Sequence, residues 1–254
     1  MSLNSVDALL EEAGLTLEED ERGLALSDGL MSVQADFSKM TSRLVPGRLN
    51  RELLVRAAKT KRPKRSGDGY GAPRDGDRTQ TERFPTDETA SKQARPLAID
   101  ATAGFGEDAL LLAAAGFEVK LFERNPVIAL LLQDALRRAS DDQRLARIVA
   151  HMTAVNADSV QALSELDVVP DVVLLDPMFP SKQKNAQVKK KLQLLQRLER
   201  PCDDEGTLLN AALSTHAHKV IVKRPVKGPF LAGKKPSYSL AGKAVRYDCF
   251  VQAR

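Results

Sequence analysis

The sequence predicts an α/β protein: a mostly parallel sheet with helices on both faces, carried by residues 96–254 behind a small N-terminal cap. Three observations lead there. From Pro96 onward, short aliphatic or β-branched runs alternate with helical stretches. The first run, Leu97–Asp100, enters a glycine turn and then a helix. A later one, Asp171–Asp176, ends on an acidic residue followed by proline. Strands separated by helices need crossover connections, which set the strands parallel and put the helices on the faces.

In chain order, residues 1–58 form the cap, with a helix around Val6–Ala13, strands at Leu24–Leu26 and Met31–Phe37, and a helix at Arg51–Ala58 entered through Val45-Pro46-Gly47. Residues 59–95 are rich in Gly, Pro, Ser, Thr and charge, without apolar periodicity, and read as a polar insertion or linker. The main domain, 96–254, then continues with a helix at Asp108–Ala115, a strand at Glu118–Glu123, a helix at Val127–Ala139 and a strand at Met152–Val155. A helix near Ser159–Leu166, the strand Asp171–Asp176, a helix at Lys184–Leu198 and strands at Lys219–Lys223 and Ala244–Val251 complete it.

At 254 residues with 43% hydrophobic content, the chain can bury one sizeable core, and no apolar run approaches the roughly 18 residues needed to cross a bilayer. The start lacks a charged-then-apolar leader, and the two cysteines, Cys202 and Cys249, form no pair, so a cytoplasmic protein with reduced thiols is expected. With three histidines, His151, His216 and His218, ligands are too few for a zinc shell, and no metal is expected. Charge is segregated: residues 1–42 carry −7, 43–83 carry +7, 84–180 carry −7 and 181–254 carry +11. Two basic stretches bracketing an acidic middle suit either a polyanion held by its phosphates or a solvated basic face.

The segment from Leu97 to Ala109 marks a nucleotide-binding crossover, with Gly104 and Gly106 allowing a tight turn and close backbone approach to a ligand at the helix N-terminus. By itself Gly104-x-Gly106-x-x-Ala109 also matches a dinucleotide fingerprint. Asp100 at the strand end and Asp108 at the helix start, however, would oppose a pyrophosphate and suit a cationic cofactor such as S-adenosylmethionine, which carries a sulfonium and an ammonium. Glu123, about 20 residues beyond the loop, can accept both ribose hydroxyls of either cofactor. Asp158 either accepts the adenine amino hydrogen or caps the following helix together with Ser159.

The discriminating motif is Asp176-Pro177-Met178-Phe179-Pro180 at the carboxyl end of the fourth strand, the edge where open α/β sheets hold ligands. It is similar to the Asp/Asn-Pro-Pro-Tyr/Phe motif of methyltransferases acting on exocyclic base amines. Such an amine is poorly nucleophilic, because its lone pair is delocalised into the ring. Asp176 and the Pro177 carbonyl can accept its hydrogens and orient it, while Phe179 can stack on the flipped base. Orientation and proximity then supply most of the catalysis. Basic residues follow, notably Lys184, Lys189, Lys190, Lys223 and Arg224, as candidate contacts to a phosphate backbone.

Taken together, Asp100–Ala109, Glu123-Arg124-Asn125-Pro126-Val127, Asp176–Pro180, Gln183-Lys184, Val188-Lys189-Lys190 and Val222-Lys223-Arg224-Pro225 resemble the ribosomal RNA small subunit methyltransferase J family across residues 97–251. The resemblance implies a class I methyltransferase fold, a seven-stranded sheet with its last strand antiparallel. It also implies S-adenosylmethionine as cofactor and the N2 amine of a guanine in 16S rRNA, free or in the small subunit, as target. It places Glu107 and Asp108, Glu123 and Arg124, Asp158 and Ser159, and Asp176 where the family binds the cofactor. Departures are the 59–95 insertion, the Arg43–Glu52 segment standing where the family has a glycine-rich basic stretch, and Asp158 in place of a small hydroxyl residue. Another RNA, a DNA base amine, an NAD-linked oxidoreductase and a non-catalytic RNA binder stay open as alternatives.

Overall fold

A computed structural model describes residues 3–59, 94–177, 193–198 and 205–252. Most of the 59–95 insertion and much of the Lys184–Leu198 helix lie outside the described residues.

The main domain contains strands β4 (Leu97–Asp100), β5 (Glu118–Glu123), β6 (Met152–Asn156), β7 (Val172–Leu175), β8 (Lys219–Pro225), β9 (Tyr238–Ala241) and β10 (Val245–Val251). They form one sheet in the order β6-β5-β4-β7-β8-β10-β9. Strands β4 to β8 pair in parallel, and β10 runs antiparallel between β8 and β9. The central strand β7 is aliphatic and buried throughout, as a parallel strand covered on both faces must be. The chain leaves β4 towards β5 and β6, then returns to the other side of β4 for β7. This reversal opens a crevice at the carboxyl ends of β4 and β7.

The helices are α5 (Glu107–Ala114), α6 (Pro126–Ser140), α7 (Ala146–Val149), α8 (Ser159–Ser164), α9 (193–198) and α10 (Glu205–Ser214). Asn125 caps α6 by accepting from the Val127 and Ile128 amides, with Pro126 at the first helical position. Val127, Ile128, Leu131, Leu132, Ala135 and Ala139 form its buried stripe. In contrast, α5 has no polar face beyond its first turn, and Ala109 to Ala113 are all buried. A helix apolar all round needs cover on its outer side as well.

The N-terminal segment supplies that cover. It comprises α1 (Leu3–Ala13), β1 (Thr16–Asp20), β2 (Gly23–Ser27), β3 (Ser32–Val33), α2 (Thr41–Leu44), α3 (Pro46–Leu49) and α4 (Leu53–Ala58). Helix α4 lies against α5 and β10, and β2 lies against α6. Leu26, Phe37 and Leu54 join the same apolar cluster as Leu110, Leu131 and Val172. Three strands stand where two were expected: the polar run Thr16–Asp20 forms an exposed hairpin arm that carries no alternating pattern, and Phe37–Met40 is a 3-10 turn instead of a strand end. Asp134 of α6 accepts the Leu24 amide at 3.0 Å, and Arg138 donates to the Ala35 carbonyl at 2.5 Å. At the opposite edge of the sheet from the crevice, Lys219 donates to the Ala57 and Lys59 carbonyls at 2.6 and 2.9 Å, capping α4 with a cation. No described helix is long and apolar enough to cross a membrane.

Candidate active site

The glycine turn leaving β4 works by two different constraints. Gly104 (φ +52°) and Gly106 (φ +74°) both adopt the left-handed conformation. A Cβ on Gly104 would meet no atom within 4 Å, so this residue borders open space. A Cβ on Gly106 would lie 2.7 Å from Leu132 Cδ1 and 3.2 Å from Phe37 Cζ. The expected close approach to a ligand therefore fits Gly104, whereas Gly106 is required by the core beneath the turn.

Glu123, at the end of β5, is buried and accepts the Gly104 amide on one oxygen at 2.9 Å and the Asn125 amide on the other at 2.8 Å. Burial pushes its carboxyl above the usual range, against the pull of those two amides. Arg124 and Glu107 are exposed at the rim. Asp158 caps α8 through the Val160 and Gln161 amides, the capping role left open above, while Ser159 donates to the Ala101 carbonyl at 2.5 Å and ties α8 to the β4 turn.

Three carboxylates meet at the crevice. Asp100 is fully buried and accepts the Thr102 amide at 3.1 Å; burial, with Asp108 and Asp176 nearby, pushes its carboxyl up to about 8. Thr102 turns back, its hydroxyl accepting the Asp176 amide at 2.6 Å, which locks the ends of β4 and β7 together. Lys223, on β8, places its ammonium 2.6 Å from Asp108 Oδ2 and 2.8 Å from Asp176 Oδ2. Burial pulls the Lys223 pKa down, but the two carboxylates more than reverse this and raise it overall. Asp176 keeps 38% of its side chain exposed to the cleft; burial pushes its carboxyl up, Lys223 opposes this and Asp108 adds to it. Tyr247 sits opposite Lys223 in the β8–β10 ladder, and its hydroxyl is held above its usual pKa by burial and by Asp108. Arg43 of α2, gripped bidentately by Glu52 at 2.8 Å, contributes its charge to the same cluster. The sequence assigned no role to Thr102, although it lies inside the glycine-turn motif, nor to Arg43 or Tyr247, because their parts depend on contacts between distant elements.

Two expectations are corrected. Arg224 is 2% exposed and donates to the Pro229 carbonyl and Glu205, so its guanidinium is enclosed and cannot reach a phosphate. Lys223 points into the acidic cluster, where two carboxylates neutralise it. Arg246 is likewise internal, bound to Asp248 and to the Val226 and Gly228 carbonyls. Pro177 is buried at the end of β7. Phe179, Lys184, Lys189 and Lys190 lie outside the described residues. Among the described residues no group of three or more His, Cys, Asp or Glu is arranged to hold a metal ion.

A family model described as "Putative SAM-dependent methyltransferase" matches residues 79–252. Among curated proteins, the chain is similar to ribosomal RNA small subunit methyltransferase J of Pseudomonas aeruginosa, 47% identical over 157 residues, 61% of this chain and 60% of that protein. The protein of the same name from Pseudomonas savastanoi is 46% identical over 61% of this chain and 58% of its own length. These matches thus span about three fifths of those relatives. One from Pseudomonas fluorescens is 35% identical over 94% of this chain and 87% of that protein. Among solved structures, a SAM-dependent methyltransferase from Neisseria gonorrhoeae superposes with a TM-score of 0.66 at 26% identity, covering 98% of this chain and 92% of that one.

Proposed function

The chain belongs to the SAM-dependent methyltransferase family, and on that premise we propose that it methylates the N2 amine of a guanine in 16S rRNA of the small ribosomal subunit, in the cytoplasm. Residues 96–254 form the catalytic domain, with residues 1–58 as the cap that covers α5. The observation that carries the reading is Asp176-Pro177 at the crevice between β4 and β7, facing a turn whose carboxylates suit a cationic cofactor. The names of the relatives supply the RNA target.

The residues present fit the cofactor. Among the described residues, Glu123 accepts hydrogen bonds from backbone amides, leaving lone pairs for ribose hydroxyls beside the open space at Gly104. Asp108, partly exposed beside the turn, is the acceptor for an ammonium, with the buried Asp100 behind it and Asp158 and Ser159 on the adenine side. When bound, S-adenosylmethionine supplies an electrophilic methyl group on a positively charged sulfur. Asp176 accepts one hydrogen of the target amine, and the Pro177 carbonyl accepts the second. With both hydrogens held, the nitrogen lone pair is aimed, and proximity does the rest. The methylated, cationic amine is acidic, so no strong base is needed.

The test is transfer of labelled methyl to small subunits or 16S rRNA from cells lacking the protein, followed by nucleoside analysis. New N2-methylguanosine is expected, and Asp176→Ala, which removes the acceptor, should lose about 100-fold or more of this transfer with the fold largely kept. Absence of incorporation in a protein that binds the cofactor, or full activity in Asp176→Ala, would overturn the assignment.

A further inference from the structure

Lys223 lies where the basic carboxyl end of β8 reaches the crevice, but its side chain turns inward and is 24% exposed. Its ammonium joins Asp108 Oδ2 of α5 to Asp176 Oδ2 beyond β7, at 2.6 and 2.8 Å. The Asp176 backbone is fixed separately, by its amide hydrogen bond to Thr102 Oγ1. With Oδ2 committed to Lys223 and the backbone held, Oδ1 is the oxygen that the described residues leave to an incoming amine. Among the described residues, the other charged or titratable groups around this pair are Asp100 on β4, Arg224 on β8, Tyr247 on β10 and Arg43 on α2. Asp100 and Asp108 repel an ionised Asp176. Arg224 is turned towards Glu205 and the Pro229 carbonyl, so among the described residues Lys223 is the cation in hydrogen-bond contact with Asp176.

We propose that Lys223 is a positioning residue for methyl transfer: its ammonium bridges Asp108 and Asp176 and keeps Asp176 an oriented, anionic acceptor for the target amine. This rests on the reading of Asp176 given above. It replaces the phosphate contact that the sequence suggests for Lys223. The physical logic is that a partly desolvated carboxylate beside two others takes up a proton unless a cation compensates. A protonated Asp176 presents an O–H where the amine needs an acceptor.

Lys223→Met should lower kcat about 100-fold at neutral pH, with KM for RNA within about twofold. Because the lysine holds the Asp176 pKa down, its removal raises that pKa, so the acid limb of the kcat profile moves to higher pH and part of the activity returns there. Lys223→Arg, which retains the charge, should recover most of kcat. It also serves as the informative variant if Lys223→Met folds poorly. A readout independent of turnover is the carboxyl 13C NMR titration of the cofactor-free protein, with Asp176 assigned by loss of its signal in Asp176→Asn. Its midpoint should rise by at least one pH unit in Lys223→Met, a tenfold change in proton affinity. An unmoved Asp176 midpoint, or a kcat loss equal at every pH, would refute the bridge. So would a raised KM with a shallower salt dependence and intact kcat, which is the behaviour of a phosphate contact. If Asp176→Ala is itself fully active, the functional reading fails while the titration still judges the bridge.

Discussion

Replacing each of the two turn glycines by alanine separates the role of the core from that of the ligand. In Gly106→Ala the added methyl sits at φ +74°, 2.7 Å from Leu132 Cδ1, 3.2 Å from Phe37 Cζ and 3.4 Å from Leu121 Cδ2. The left-handed conformation costs an alanine about 1 kcal/mol. Forcing Leu132 and Phe37 aside in a packed core adds about 1–3 kcal/mol. Against this, the alanine gains about 0.4–1 kcal/mol through the less flexible unfolded chain. The net loss is about 1–3.5 kcal/mol. With a urea slope of about 2 kcal/mol/M, the unfolding midpoint falls by about 0.5–1.8 M at unchanged slope. Gly104→Ala carries only the conformational cost, at φ +52°, because nothing lies within 4 Å of its new methyl. Its midpoint should move by less than about 0.5 M. Cofactor affinity, measured by calorimetry, should order the pair the other way, falling more in Gly104→Ala because that methyl projects into the space beside Glu123. Equal destabilisation of the two variants would refute the packing argument, and unimpaired cofactor binding by Gly104→Ala would refute the placement of the ligand.

Asp100 predicts a pH signature. Its folded pKa, pushed up to about 8 from an ordinary 3.8, means that the native state holds a proton the unfolded chain has released, so stability falls as pH rises from about 4 to about 8. Asp100→Asn should flatten this window, by up to about 1.4 kcal/mol per pH unit, and be most stabilising near pH 8; parallel urea midpoints of the two proteins across that range would disprove the shift. Arg246→Met should destabilise by about 3–5 kcal/mol, since Asp248, 1% exposed, keeps only the Ser239 hydroxyl among its side-chain partners. Were Arg246 a phosphate contact instead, the variant would melt normally and lose RNA affinity in a salt-dependent way, which thermal unfolding and binding isotherms at two ionic strengths distinguish.

What was legible in the chain was what depends on neighbours in sequence. The strands at the sheet centre are short aliphatic runs, and the glycine turn, Glu123 and Asp176-Pro177 follow strands at fixed offsets, so the crevice and its carboxylates could be placed without coordinates. Elements lacking such a pattern were missed: β1 is an exposed polar arm, β9 an edge strand with three of four residues exposed, and α10 had no place in the expected order.

The sequence by itself determined the α/β class, the seven-stranded sheet with its last strand antiparallel implied by the resemblance, and the acidic edge at the ends of its strands, because local periodicity and motif spacing survive folding unchanged. Only the tertiary structure decided the fate of the cations. Lys223, Arg224 and Arg246 belong to a basic run on paper. In the fold, the desolvation of Asp108, Asp176 and Asp248 draws Lys223 and Arg246 inward as compensating charges, and Arg224 is enclosed against Glu205 and the Pro229 carbonyl. The same holds for the N-terminal segment. An apolar α5 needs a second cover, and residues distant in sequence, Phe37 and Leu54 among them, provide it by burying surface that no local pattern could assign to them.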